Sequence, residues 1–335
     1  MRHSIVLGFC AAGLLFAGCG GSQPAPVAGN ASRASAFAGN GRATIGPPRD
    51  RERSWMALEA MTKNLLYVTD GNVEVYSYPQ GQLEGQLTGF SYAFGDCSDR
   101  KGNVYITDYA ANRVVEYAHA GAKPIRTLTV PGNAPWSCAI DPVSGNLAVT
   151  AAGNASGGGA TLAIYRGAEG KPKTYSDREI LGYAFCAYDD AGNLFVDGTP
   201  APGYGYNFEL AELARGKRSL KGVTLQGGTP WMGTLQWDGQ YLAVGQPIKP
   251  NIWQYAVGDR YGDSIGSTPL TSAYDARQFI IAGKKAVVVN EYYVHTYIVK
   301  WNVLIFSYPA GGNDTEDLLE SSKPVQSVAI SHGRR

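Results

Sequence analysis

Histidine is scarce in this chain, with four among 335 residues. His3 sits at the extreme N-terminus, which leaves His119, His295 and His332. A copper- or zinc-centred lyase that needs several inward imidazoles is thereby excluded. A Ser-His-Asp hydrolase is excluded too, because no nucleophile elbow stands between a strand and a helix. The five cysteines show no C-x-x-C pair, so they announce no metal. Charge of one sign is lacking in excess: 29 Lys and Arg stand against 28 Asp and Glu. With no basic stripe and no acidic tail, neither nucleic acid nor a cationic partner is indicated. The apolar run Ile5 to Ala17 is too short for a membrane span. Gly153 to Gly159 is glycine-rich but lies between two strands, so it reads as a loop rather than a phosphate cradle.

Glycine and tyrosine are plentiful, at 43 and 21 residues in a 44% hydrophobic chain. That mixture suits a turn-rich all-β protein with half-buried strands. The organising stretch is 94–117, FGDCSDRKGNVYITDYAANRVVEY. It reads as strand, Gly-Asn turn, strand, polar loop, strand, an antiparallel meander. Gly102 supplies the positive φ of the tight turn, and Asp99 accepts from its N–H groups. The turn and second strand recur at Asp141–Val149, Asp190–Val196 and Asp238–Val244, with degenerate copies at Lys63–Val68 and Lys285–Val289. The third strand recurs at Val73–Pro79, Thr161–Tyr165, Asn251–Tyr255 and Asn302–Pro309. Six copies of about 40–50 residues predict a six-bladed β-propeller of four-stranded antiparallel blades. Blade boundaries fall near 55–93, 94–135, 136–184, 185–230, 231–273 and 274–330. Either Pro324–Ser331 or Ser54–Leu58 closes the ring, and the C-terminal segment is expected as the innermost strand of blade one.

The N-terminus divides in two. Residues 1–18 read as a signal peptide, with Met1-Arg-His3 positive and Ile5 to Ala17 apolar. Leu15-Phe-Ala-Gly-Cys19 resembles a bacterial lipobox, which implies acylation at Cys19 and a membrane anchor. Each buried methylene would contribute about 0.8 kcal/mol to that anchor. The alternative is an ordinary secretory signal in which Cys19 is coincidental. Residues 19–53 read as the lipidated cysteine and a flexible linker reaching on the order of 30 Å. Arg42, Arg49, Arg51 and Arg53 at its far end are a solvated run or a contact to anionic headgroups.

Asp99 to Tyr117 resembles an NHL repeat: Asp, turn, Gly-Asn, an aromatic and β-branched strand, Asp, then Asn-Arg-Val. Residues 54–331 resemble bacterial lipoproteins with an NHL- or SMP-30-like six-bladed propeller. The matching segments include Leu65-Leu-Tyr-Val, Tyr76-Ser-Tyr-Pro, Cys138-Ala-Ile-Asp-Pro, Gly192-Asn-Leu-Phe-Val-Asp-Gly198 and Gln236-Trp-Asp-Gly. The resemblance implies a cell-envelope, extracytoplasmic protein. Its SMP-30 side raises a lactonase, with calcium or another divalent cation in the central channel. Glu59, Asp96 and Asp275, with Glu291 behind them, are the candidate ligands, though none falls in a matching ligand motif.

An aromatic residue precedes almost every inner strand: Trp55, Phe94, Trp136, Phe185, Trp231 and Tyr274. Such a ring is either a platform for a protein, peptide or glycan ligand or a set of wedges between blades. Cys97, Cys138 and Cys186 fall in three successive inner strands, where equivalent positions are too far apart for a disulfide. They are expected as free, buried, small hydrophobes. The insertions Thr199–Asn207, carrying Tyr204 and Tyr206, and Glu291–Trp301, carrying Tyr292 and Tyr293, emerge on the face of the aromatic ring and suit recognition. The expectation is a monomeric, membrane-tethered binding or scaffold module without catalysis and without an obligatory cofactor. The alternative is a metal-dependent lactonase-like hydrolase.

Overall fold

A computed structural model describes residues 53–333, apart from 154–157, 201–207, 229–232 and 296–297. The signal-like segment, Cys19, Tyr204, Tyr206 and Trp231 therefore lie outside the described residues.

The chain is all-β, with six blades of antiparallel strands around a common axis. The innermost strands are Ala93–Ser98, Pro135–Ile140, Gly182–Tyr188, Leu235–Trp237, Asp275–Ala282 and Ser327–Ser331. Each touches the next, and the last touches the first. The C-terminal strand closes blade one from the inside, in register from Leu65 opposite Ser331 to Thr69 opposite Ser327. Without that strand Leu65–Thr69 would itself be left as an open sheet edge facing the axis.

Two blades carry a fifth strand. Trp55–Met56 runs along the outer edge of blade one against Gln86 and Gly85. Thr224–Gln226 runs parallel to Tyr261–Pro269 at the outer edge of blade five. Trp55 is therefore not an inner-strand residue: the C-terminal strand already fills that place, so this segment goes to the rim. Helix is confined to two 3₁₀ turns, Leu58–Thr62 and Arg166–Ala168, among the described residues.

The second strands Leu65–Thr69, Val104–Asp108 and Leu147–Ala151 are buried at every position. Each opens with an apolar run, because it is covered on both faces by neighbouring blades, and carries a threonine near its end. One apolar cluster fills each gap between blades. Leu65 and Tyr67 meet Val104 and Ile106 between blades one and two. Leu66 and Val68 meet Val287 and Val289 between blades one and six.

Four inner strands slip register near their beginning, in blades two, three, four and six. Each slip is a β-bulge that frees a backbone N–H, and in three blades a second-strand side chain takes it. Thr107 Oγ1 accepts from Gly95 N at 2.7 Å, Thr150 Oγ1 from Ser137 N at 3.0 Å, and Asp197 Oδ1 from Phe185 N at 2.6 Å. The threonines also reach the next blade. Thr69, Thr107 and Thr150 donate to the carbonyls of Phe94, Trp136 and Ala184 at 2.5, 3.3 and 2.6 Å. These latches bring inner strands very close: a Cβ on Gly95 would lie 2.1 Å from the Trp136 carbonyl oxygen.

Cys97 and Cys138 form a disulfide, with Cα atoms 5.7 Å apart, whereas Cys186 is free and buried. This corrects the expectation that all three stay free. Cys138 lies opposite Val149 and Cys186 opposite Val196, but the residue of that register in blade two is Asp96, opposite Ile106. Cys97 comes one residue later, and successive strand side chains point to opposite faces. Cys97 thus faces blade three while Cys138 faces blade two.

Candidate functional site

The inner strands all run the same way, so the axis has two distinct ends. At the upper end the inner strands begin. Loops from outer strand to next inner strand, and from second to third strand, emerge there. At the lower end the Asp-Gly-Asn turns emerge.

The upper end of blades two and three carries four half-buried rings. Phe94 and Trp136 have centroids 4.4 Å apart, and Tyr109 lies 5.5 Å from Phe94 and 6.2 Å from Trp136. Tyr92 adds a contact to Phe94 at 6.2 Å and to Tyr109 at 6.3 Å. The bulges position Phe94 and Trp136, whose carbonyls take the threonine latches of the preceding blades. The loop Ser91–Tyr92 is fixed by two N–H groups donating to the Asp108 carboxylate, which Arg113 pairs at 2.9 Å. A polar rim borders the rings: Gln326 Nε2 donates to Tyr92 OH at 3.3 Å, and Lys323 Nζ sits 2.6 Å from Asp70 Oδ2.

Of the six aromatics expected as a ring, the structure brings Phe94 and Trp136 into contact. Phe185 holds an equivalent bulge but packs against the apolar cluster between blades four and five. Tyr274 lies just before its inner strand, 60% exposed, and meets Tyr293 edge-on at 5.5 Å. Tyr292 is half-buried in the same hairpin. The bulge position of blade six belongs to Arg277. Its Nε lies 3.3 Å from Asp275 Oδ2 and its Nη2 2.5 Å from Glu291 Oε2. Burial raises the Asp275 pKa; Arg277 opposes the shift and Glu291 adds to it.

Asp275 and Glu291 therefore share an internal cation. Glu59 is exposed in the 3₁₀ turn at the rim of blade one, and Asp96 is buried on the axis. The structure does not bring the three candidate ligands together. Among the described residues no group of three His, Cys, Asp or Glu could hold a metal ion.

At the lower end a cavity of about 860 Å³ opens along the axis and is lined by all six inner strands. Its mouth includes Asp99, Asp141 and Asp190. The turn role expected of Asp190 belongs to Asp189, whose Oδ1 accepts from the N–H groups of Ala191 and Asn193. Asp99 caps Lys101 and Asn103 in the same way. Asp190 instead accepts from Trp237 Nε1 at 3.0 Å. Deeper in lies Asp96, 6% exposed, whose Oδ1 accepts from Ser327 Oγ at 2.5 Å. Burial pushes its pKa up to about 8 against the pull of the Ser327 hydroxyl and nearby backbone N–H groups. Burial likewise holds Asp197 well above the usual carboxylate range.

Tyr92, Tyr109, Arg277 and Ser327 were not singled out from sequence. Tyr109 directly follows the NHL-like Asp108 and could have been found there. Arg277 could not, because a bulge gives no residue-level signal.

No protein-family model matches the chain, and no curated protein matches it. Solved structures do, at the level of fold. A crystal structure of a nidogen/laminin complex aligns with a TM-score of 0.61 at 11% identity, over 81% of this chain and 100% of that one. A structure of U3-55K aligns with a TM-score of 0.52 at 12% identity, over 82% of each chain. Hydrazine synthase of Kuenenia stuttgartiensis aligns with a TM-score of 0.51 at 13% identity, over 68% of this chain and 66% of that one.

Proposed function

We propose that this protein is a lipid-anchored, extracytoplasmic propeller that binds a peptide or glycan segment on its upper face, without catalysis. The observation that carries this reading is the contiguous patch of Tyr92, Phe94, Tyr109 and Trp136. The four rings are half-open to solvent on a rigid double bulge. Aromatic faces offer large contact area at low entropy cost, and the bordering Lys323, Asp70 and Gln326 supply polar partners. The Cys97–Cys138 bond supports export, since structural disulfides persist in oxidising compartments. The lipobox-like run ending at Cys19 supports the anchor. The NHL- and SMP-30-like segments are compatible with this role, and the similar chain from a nidogen/laminin complex offers an analogy for partner binding at the level of fold alone.

The test is a pull-down of peptidoglycan fragments, envelope polysaccharides and peptide libraries with the wild-type protein and with Trp136→Ala and Tyr109→Ala. Binding lost by about tenfold or more at an unchanged melting temperature supports the platform. Undiminished binding, or loss of fold without loss of affinity per folded molecule, removes it. Chelator-sensitive lactone turnover by the purified protein would replace this reading with the hydrolase. A mature protein whose mass carries no acyl chains would remove the anchor.

A further inference from the structure

We propose that the lower rim of blade one is a membrane-docking wedge, whose Leu58, Met61 and Leu83 enter the headgroup and acyl boundary of a phospholipid bilayer. It rests on the lipid-anchor reading, and adds to it which side of the propeller meets the membrane.

The wedge is built from adjacent stretches of backbone. Trp55–Met56 lies against Gln86 and Gly85, and the next residues keep that register, Ala57 N donating to Glu84 O at 2.7 Å. Leu58 therefore comes beside Leu83, the first residue of its strand. There the chain turns into the 3₁₀ helix Leu58–Thr62. Side chains three apart eclipse in such a helix, so Met61 stands in line with Leu58. Ala60 is fully buried and pins the turn to the cluster between blades one and two. Lys63 Nζ, 2.5 Å from Glu84 Oε1, ties the end of the turn to the same strand. Three large apolar side chains are left outside: Leu58 is 92% exposed, Met61 50% and Leu83 42%. Ile125, 57% exposed, stands at the corresponding lower end of the outer strand of blade two.

Apolar side chains held out together on a fixed turn mark a protein or a membrane contact. The chain upstream favours the membrane. The described residues begin at Arg53, one two-residue strand before the wedge. Residues 19–53 reach on the order of 30 Å, against roughly 17 Å for a five-residue blade strand. A tether of that length lets the lower rim come down on the bilayer that holds the anchor. Charge fits as well, since anionic headgroups attract Lys and Arg. Arg49, Arg51 and Arg53 outnumber Asp50 and Glu52 just upstream, and Arg100, Lys101 and Lys123 are exposed at the lower end of blade two. Glu59, the acid of the turn, lies a third of a turn away from the line of Leu58 and Met61. With this rim on the bilayer, the patch of Tyr92, Phe94, Tyr109 and Trp136 at the opposite end is turned away from the membrane and open to a partner.

The test is the rate at which aqueous peroxide oxidises Met61, followed by mass spectrometry. The chain as processed in the cell is placed on vesicles of phosphatidylethanolamine with phosphatidylglycerol. Oxidation should be about tenfold slower in wild type than in Leu58→Asp with Leu83→Asp, which drives the wedge out of the lipid. Met61 is already 50% exposed, so altered packing alone could raise its rate no more than about twofold. Circular dichroism checks folding; if the double variant fails it, Leu58→Asp alone, at the most exposed position, should still give about threefold. Equal Met61 rates in folded variant and wild type would overturn the wedge and leave the anchor standing. A dimer in wild type that becomes a monomer in the variant, read by analytical ultracentrifugation, would put a second copy on the rim and overturn it too. A mature mass without acyl chains would remove the anchor, and the wedge with it.

Discussion

Blade two is held on its two sides by different chemistry. Towards blade three the tie is covalent, the Cys97–Cys138 bridge, reinforced by Thr107 and by the close approach at Gly95. Towards blade one, where the C-terminal strand closes the ring, the ties are polar side chains. Ser327 bonds Asp96, Ser98 Oγ donates to Ile330 O at 2.6 Å, and Ser331 Oγ donates to Gly102 O at 2.6 Å. Because the Ser331 hydrogen is committed to Gly102, His119 Nδ1, 2.6 Å from that oxygen, must be the donor. The two sides therefore answer to different agents: one to reductant, the other to protons.

The largest difference should appear with pH. Asp96 has a folded pKa near 8 against an ordinary value of 3.8. Below about pH 4 it is protonated both folded and unfolded and imposes no penalty. Between about pH 4 and 8 the unfolded chain gives up a proton that the folded chain keeps. Stability therefore falls as pH rises, by at most about 1.4 kcal/mol per unit for one proton. The loss is complete above the folded pKa. Asp197, also raised, adds in the same direction. Urea melts of wild type and Asp96→Asn from pH 4 to 9 should show a shallower slope in the variant. Parallel slopes would mean that Asp96 ionises freely in the fold.

Next in size is the bridge, which closes a loop with a sequence separation of 41. Chain-entropy arguments for such a loop give roughly 4 kcal/mol, and measured losses commonly fall at about 2–4. Cys97→Ala with Cys138→Ala should lower the melting temperature by roughly 5–15 °C, and reductant should do the same to wild type only. A double variant as stable as wild type would show that the latches and packing suffice on that side.

How much of this was legible beforehand differs between the two sides. The blade count and the turn chemistry of Asp99 followed from period and pattern, because each is a property of backbone repetition, whereas pattern left Ser54–Leu58 open beside the preferred Pro324–Ser331 as the closing strand, and only the pairing with Leu65–Thr69 decides between them. The disulfide was misjudged by one residue. Cys97 stands two positions before its turn aspartate and Cys138 three before its own, and that offset, present in the sequence, turns one thiol to face the other. The expected ring survives only in part. The bulges that set Phe94, Trp136 and Arg277 arise from the register between strands, which no single strand encodes. The cavity was invisible for a related reason. Its lining takes residues from all six inner strands, so it exists only once the ring is closed.

The smallest effect probes whether the polar side acts as one unit. Ser98 and Ser327 both tie blade two to the closing strand, through Ile330 O and Asp96 respectively. Ser98→Ala removes one partly buried hydrogen bond and should cost about 0.5–1.5 kcal/mol. If the closing strand docks cooperatively, Ser98→Ala should cost less once Ser327→Ala has already loosened that strand. A double-mutant cycle should then show a coupling of at least about 0.5 kcal/mol. Strict additivity would mean that the two hydroxyls stabilise separate stretches of backbone, and that the strand is held mainly by its ladder to Leu65–Thr69. The same cycle with Thr107→Val in place of Ser327→Ala should be additive. Thr107 serves the covalent side, where the bridge already fixes the geometry that the hydroxyl would otherwise have to hold.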